Sequence, residues 1–229
     1  MNLEGWCGGQ HLVLRAACHP VPCLARPACG RRCFPVWPPS RWVARKRVSS
    51  LWGFNSAEND QQILRAYQWI AGKLAQQKAP PQADALPVWV WHTHNPGHAE
   101  PDLWRLRPYA PGVLLELEVD AARVLLSDFD LWHAPLNGTF LGTEEEDMAF
   151  DQQYEQRGVE GWNTFWHDSE LAKAALVSWD HCLDLDWYAP NWFGEARERK
   201  KIQGVMWEIR PEDVMRHRPY QGWKWRRGE

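Results

Sequence analysis

No run of about 18 consecutive apolar residues occurs in this chain of 229 residues, so no segment reads as a membrane-crossing helix. A basic start followed by an apolar stretch, the mark of a secretory signal, is also missing. There is no strained strand-to-helix elbow around a nucleophilic serine. The short glycine pairs, Gly8–Gly9 among them, lack the following lysine or helix of a phosphate-cradling loop. Cysteine is scarce in the body of the chain, where Cys182 stands alone. The other five, Cys7, Cys18, Cys23, Cys29 and Cys33, are not spaced as the two close pairs of a zinc knuckle. No internal repeat is found. These absences point to a cytoplasmic location with reduced thiols, and they leave the chain without a complete catalytic signature.

Tryptophan is abundant, with 17 residues. Each brings a large flat surface and one N–H that wants an acceptor when buried. Such residues serve as girders of a core or as walls of a ligand groove. Charge is unevenly placed. Residues 1–50 hold eight Lys or Arg against a single acid, Glu4, whereas residues 51–229 hold 18 basic and 28 acidic side chains. A basic head of this kind suits phosphate contacts, and nucleic-acid association through it is one functional class to weigh.

Three segments divide the chain. Residues 1–50 read as an irregular head or as sequence upstream of a natural start, because six prolines between Pro20 and Pro39 interrupt any helix. Residues 51–220 read as a single α+β domain with a small mixed or mainly antiparallel sheet, and residues 221–229 as a basic tail. In the body, Ile63, Ala66, Tyr67, Ile70 and Leu74 recur at helical spacing and predict a helix from about Ser56, its cap, to Lys78. Branched and aromatic residues predict strands at Val88–Trp91 and Gly112–Val119, with a third at Arg123–Ser127. Thr143 and the acids behind it predict a capped helix reaching Arg157. A further helix is expected from Asp168 to about Cys182, and a last strand over Lys201–Arg210.

Candidate chemistry gathers at three places. His92, His94 and His98 follow a strand and could converge on zinc, although no acid is assigned to them and they read better as loop histidines. The segment from Ser127 to Asn137 is denser in useful groups. Ser127, Asp128, Asp130 and His133 would stand at a strand end, where an aspartate can orient His133 as a base and the same groups can equally cap a turn. On the last strand Gln203 and Glu208 interrupt an apolar pattern, and a carboxylate fixed on a strand can hold a ligand hydroxyl or a developing cation. The acids Glu144, Glu145, Glu146 and Asp147 suit a solvated helix start rather than a metal, since adjacent carboxylates repel. Asp180, Asp184 and Asp186 read as turn residues.

Four stretches carry a family resemblance: Pro87–Trp91, Leu114–Val119, Val124–Asp130 with Trp132 and Asn137, and Ile202–Ile209. In these, from about Tyr67 to Val214, the chain resembles the bacterial family known as domain of unknown function 3841. Members of that family usually begin with a short strand carrying a Trp-Thr-x-Gln-like motif. No such motif occurs here, which implies a mistaken start or a lost strand. The family's order of elements is similar to that of compact ADP-ribosyltransferase-like domains, which bind NAD in a split-sheet cleft and use a late-strand glutamate. That similarity implies a catalytic role for Glu208, with Trp132 or Tyr67 stacking on a ring. The leading expectation is a domain that binds a small ligand or a protein partner in a tryptophan-rimmed polar cleft. It would be lined by Tyr67, Ser127, Asp128, Asp130, Trp132, His133, Asn137 and Gln203, without metal. An NAD-using enzyme and a nucleic-acid-associated protein are the alternatives.

Overall fold

The computed structural model describes residues 11–18, 57–83, 85–97, 112–159 and 164–220. In chain order they form β1 (His11–Cys18), α1 (Ala57–Gln77), β2 (Val88–Thr93), β3 (Gly112–Asp120) and β4 (Leu125–Asp128). Next come α2 (His133–Asn137), α3 (Glu144–Gln156), α4 (Ser169–Ser178), β5 (Ile202–Met206) and β6 (Val214–Tyr220). The strands make one sheet in the order β4-β5-β2-β1-β3-β6, with every pairing antiparallel. The protein is therefore α+β.

The sheet has two halves. β4, β5 and β2 form one, and β1, β3 and β6 the other. Among the described residues, only the pair Arg15↔Trp91 joins them in register, whereas β1 runs beside β3 over its whole length, from His11↔Asp120 to Cys18↔Val113. Strand alternation then sorts the side chains. Leu14, Ala16, Val90, Leu115, Leu117, Val119 and Met206 make one apolar cluster. The opposite face carries Leu125, Val205 and the neighbouring Trp207, against which α1 lays Ala66, Tyr67, Ile70 and Leu74. Full burial of side chains such as Ile70 and Leu74 stabilises by about 1.5–3 kcal/mol each.

Local chemistry sets the element ends. Pro80 and Pro81 lie just past α1. Thr143 and Glu146 cap α3 reciprocally, each side chain bonding the other's backbone N–H. Asp168 accepts from the N–H groups of Glu170 and Leu171 at the start of α4. Gly138, at φ 64°, turns the chain out of α2 in the left-handed region that glycine tolerates.

Several expectations need correction. The head is not irregular throughout, because His11–Cys18 forms a strand in the interior of the sheet. Its alternation of Leu12, Leu14 and Ala16 is a strand signal that the neighbouring prolines and cysteines obscured. The helix from Asp168 gives way after Ser178 to a tighter 3-10 turn, Trp179–Cys182. The strand expected over Lys201–Arg210 ends at Met206. A turn follows, and β6 returns along β3 with the register Glu116↔Arg216. Because the strand ends early, Ile209 joins the cluster of Met206 rather than that of Val205. The Ser56 cap and the tail 221–229 lie outside the described residues.

Candidate functional site

The site is built at the ends of β4 and β5, where the two strands pair Ser127 with Gln203. On the next strand Trp91 is registered with Gln203, and Trp89 with Val205. Odd-numbered positions on all three strands face α1, so Ser127, Gln203, Trp89 and Trp91 share one surface. Ser127 is 0% exposed and Gln203 5%. Ser127 Oγ, Gln203 Nε2 and Trp89 Nε1 are all buried and have no hydrogen-bond partner among the described residues.

Aromatic rings close over this floor. Trp132 lies 4.8 Å from Trp89 and 6.2 Å from Tyr67, centroid to centroid. Toward solvent the half-buried Trp91 touches Phe129 at 4.9 Å, and the two rings are tilted by 49°. The row continues to His133, whose ring stands edge-on to Phe129 at 5.1 Å, and to His94, edge-on to Trp91 at 4.8 Å.

One residue along β4 the chemistry reverses. Asp128 is 1% exposed. Its Oδ1 accepts from the backbone N–H groups of Asp130 and Leu131, fixing the turn that follows the strand. Its Oδ2 lies 2.9 Å from Nζ of the fully buried Lys200, a pairing of charge rather than an aligned hydrogen bond. Lys200 also donates to the carbonyl of Trp187 at 2.6 Å. Cys182 is buried nearby, and burial, reinforced by the Asp128 charge, pushes its thiol well up. That keeps it protonated and inert.

The remaining predicted residues spread outward. Tyr67 and Trp132 are core residues whose edges border the floor. Asp130 is exposed and pairs with Lys201 at 3.1 Å, while His133 is exposed and bonds the Asp130 carbonyl through Nδ1. Asn137 sits exposed at the last position of α2. Glu208 lies two residues beyond β5, where its carboxylate accepts from Arg210 Nε at 2.8 Å. Arg123 binds both Asp213 and the Glu208 carbonyl, which holds this turn against the end of β3. Thus Ser127 and Gln203 come together, Tyr67 and Trp132 pack on Trp89 of the same sheet face, His133 lies beyond Phe129, and Glu208 lies past the end of β5.

Of the three histidines, His98 lies outside the described residues. His92 Nδ1 is 2.8 Å from Thr93 Oγ1, and no group of three His, Cys, Asp or Glu among the described residues is placed to hold a metal ion. The acids Glu144–Asp147 occupy the first turn of α3. Asp180 pairs with Lys73 and Asp186 with Arg197. Lys200 was invisible in the sequence, since nothing in Arg199-Lys200-Lys201 marks which of three cations is buried.

The fold and this floor define an antiparallel α+β domain with an unpartnered polar row beneath aromatic rings. A family model described as domain of unknown function (DUF3841) matches residues 54–215, and the chain belongs to that family. No curated protein and no solved structure matches the chain. Among the described residues no helix is long and apolar enough to cross a membrane.

Proposed function

We propose that the domain binds a small ligand on the Ser127–Gln203 floor, beside Trp91 and near Phe129 and Trp132. The observation that carries this reading is the pair of unpartnered polar groups on directly opposed residues of β4 and β5. A buried donor or acceptor without a partner costs about 1–3 kcal/mol. Two such groups side by side are expected where a ligand or a bound water supplies the missing bonds. Their depth favours a small molecule over a protein surface, because a flat partner surface does not reach side chains that are 0% and 5% exposed. The test is the equilibrium stability of Ser127→Ala/Gln203→Met, which keeps shape and removes both polar groups. If the pair serves a ligand, the variant gains about 1–3 kcal/mol in the unliganded protein. A variant less stable than the parent shows that the pair serves the fold, and the reading is lost.

A second reading, an NAD-using enzyme of the ADP-ribosyltransferase kind, draws support from the sheet's division into two halves joined by one registered pair. It assigns Glu208 to the nicotinamide ribose, with Arg210 as its present partner. Labelled NAD should then bind the intact protein and be lost in Glu208→Gln. No binding by the intact protein removes the enzyme.

A further inference from the structure

We infer that the ligand is a planar ring whose polar edge is an uncharged carbonyl acceptor; this deepens the small-ligand reading and rests on it. Gln203 Nε2 and Trp89 Nε1 can only donate, while Ser127 Oγ can donate or accept. The three groups lie on one face of three neighbouring strands, and all are buried without a partner among the described residues. Two donors and a hydroxyl cannot satisfy one another, because a single hydroxyl oxygen would have to serve both N–H groups and still find a home for its own proton. A ligand that completes the set must therefore bring acceptors.

Charge narrows the class. None of the three groups is ionic. The lysines nearest in sequence are already paired, Lys200 with Asp128 and Lys201 with Asp130. A carboxylate or phosphate on the floor would lose its hydration without gaining a free cation, whereas a neutral carbonyl loses far less on burial. The ring follows from the walls. Trp91 stands beside Gln203 in register and touches Phe129, and His133 and His94 extend the aromatic row. Such a row offers ring faces and edges to another flat ring.

Three probes sharing a benzene ring separate the possibilities on the full chain. Acetophenone carries a neutral acceptor, benzoate an anionic acceptor and benzamidine a cationic donor. Binding is followed by the indole N–H resonance of Trp89, identified by its loss in Trp89→Phe. Acetophenone is expected to saturate and to move this resonance, and Ser127→Ala/Gln203→Met is expected to weaken it at least about tenfold, the equivalent of one lost hydrogen bond. Benzamidine binding as well as acetophenone, benzoate binding better, or a Trp89 signal that stays fixed would each overturn the assignment. When the double variant is stabilised and acetophenone fails, only the carbonyl assignment falls. When the double variant is destabilised, the site falls with it.

Discussion

Ser127 and Asp128 are neighbours in the chain, equally buried, and opposite in their surroundings. Asp128 has two backbone amides and a buried lysine. Ser127 Oγ has no hydrogen-bond partner among the described residues, and the Gln203 amide nitrogen opposite it is in the same condition. A buried carboxylate anchored by two amides and a counter-charge specifies a conformation, here the turn after β4, and costs a great deal to break. A buried hydroxyl and amide nitrogen without partners do nothing for the fold. The difference separates two neighbouring residues of the Ser127–Asn137 motif: Asp128 fixes the turn after β4, and Ser127 Oγ makes no hydrogen bond among the described residues.

The comparison breaks most sharply at Lys200. Lys200→Met strands the Asp128 charge and should destabilise by about 3–5 kcal/mol in urea titration. Adding Asp128→Asn should recover much of that, since an amide oxygen still accepts from the two backbone amides. A loss that the second change leaves untouched would show that Lys200 matters for packing rather than charge. Smaller is the effect expected at Gly204, on β5 opposite Leu126 of β4. There a Cβ would lie 2.8 Å from Val124 Cγ1 and 3.1 Å from Leu126 Cδ2, so Gly204→Ala should cost about 1–3 kcal/mol by overpacking. Thr143→Ala, remote from the site, removes half a capping box for about 1 kcal/mol and calibrates the others.

The smallest effect concerns pH. Backbone hydrogen bonds from Leu171, helped by Arg157, hold the Asp168 carboxyl below its ordinary value. Its contribution is therefore complete above the unfolded value of about 4 and is lost as pH falls through the lower folded value. Asp168→Asn should flatten that limb of the stability profile, and an unchanged acid limb would show that the cap does not report on folding.

Much of the fold was legible because periodicity is local. α1, β2, β3 and α3 follow from spacing, branching and capping within a dozen residues, and their observed bounds, such as Ala57–Gln77, lie close to those expected. What was not legible depended on distant partners. β6, with Arg216, His217 and Arg218, looks too polar for a strand until β3 is placed beside it with Glu116 opposite Arg216. In the site, Ser127 and Gln203 were visible as polar interruptions, but their direct opposition is a matter of register between strands more than 70 residues apart. The burial of Lys200 has no local signature at all.

β1 lies between β2 and β3, outside the segment that the family model matches. An interior strand drawn from far upstream makes the sheet a structure of high contact order, slow to complete because its closing contacts span a long loop. Until that strand docks, β2 and β3 each present a bare edge of unpaired backbone groups, the kind that recruits other chains. A polypeptide shortened past Cys18 should consequently express as aggregate rather than as a weakened monomer, and a peptide spanning residues 11–18 supplied in trans should return it to solution.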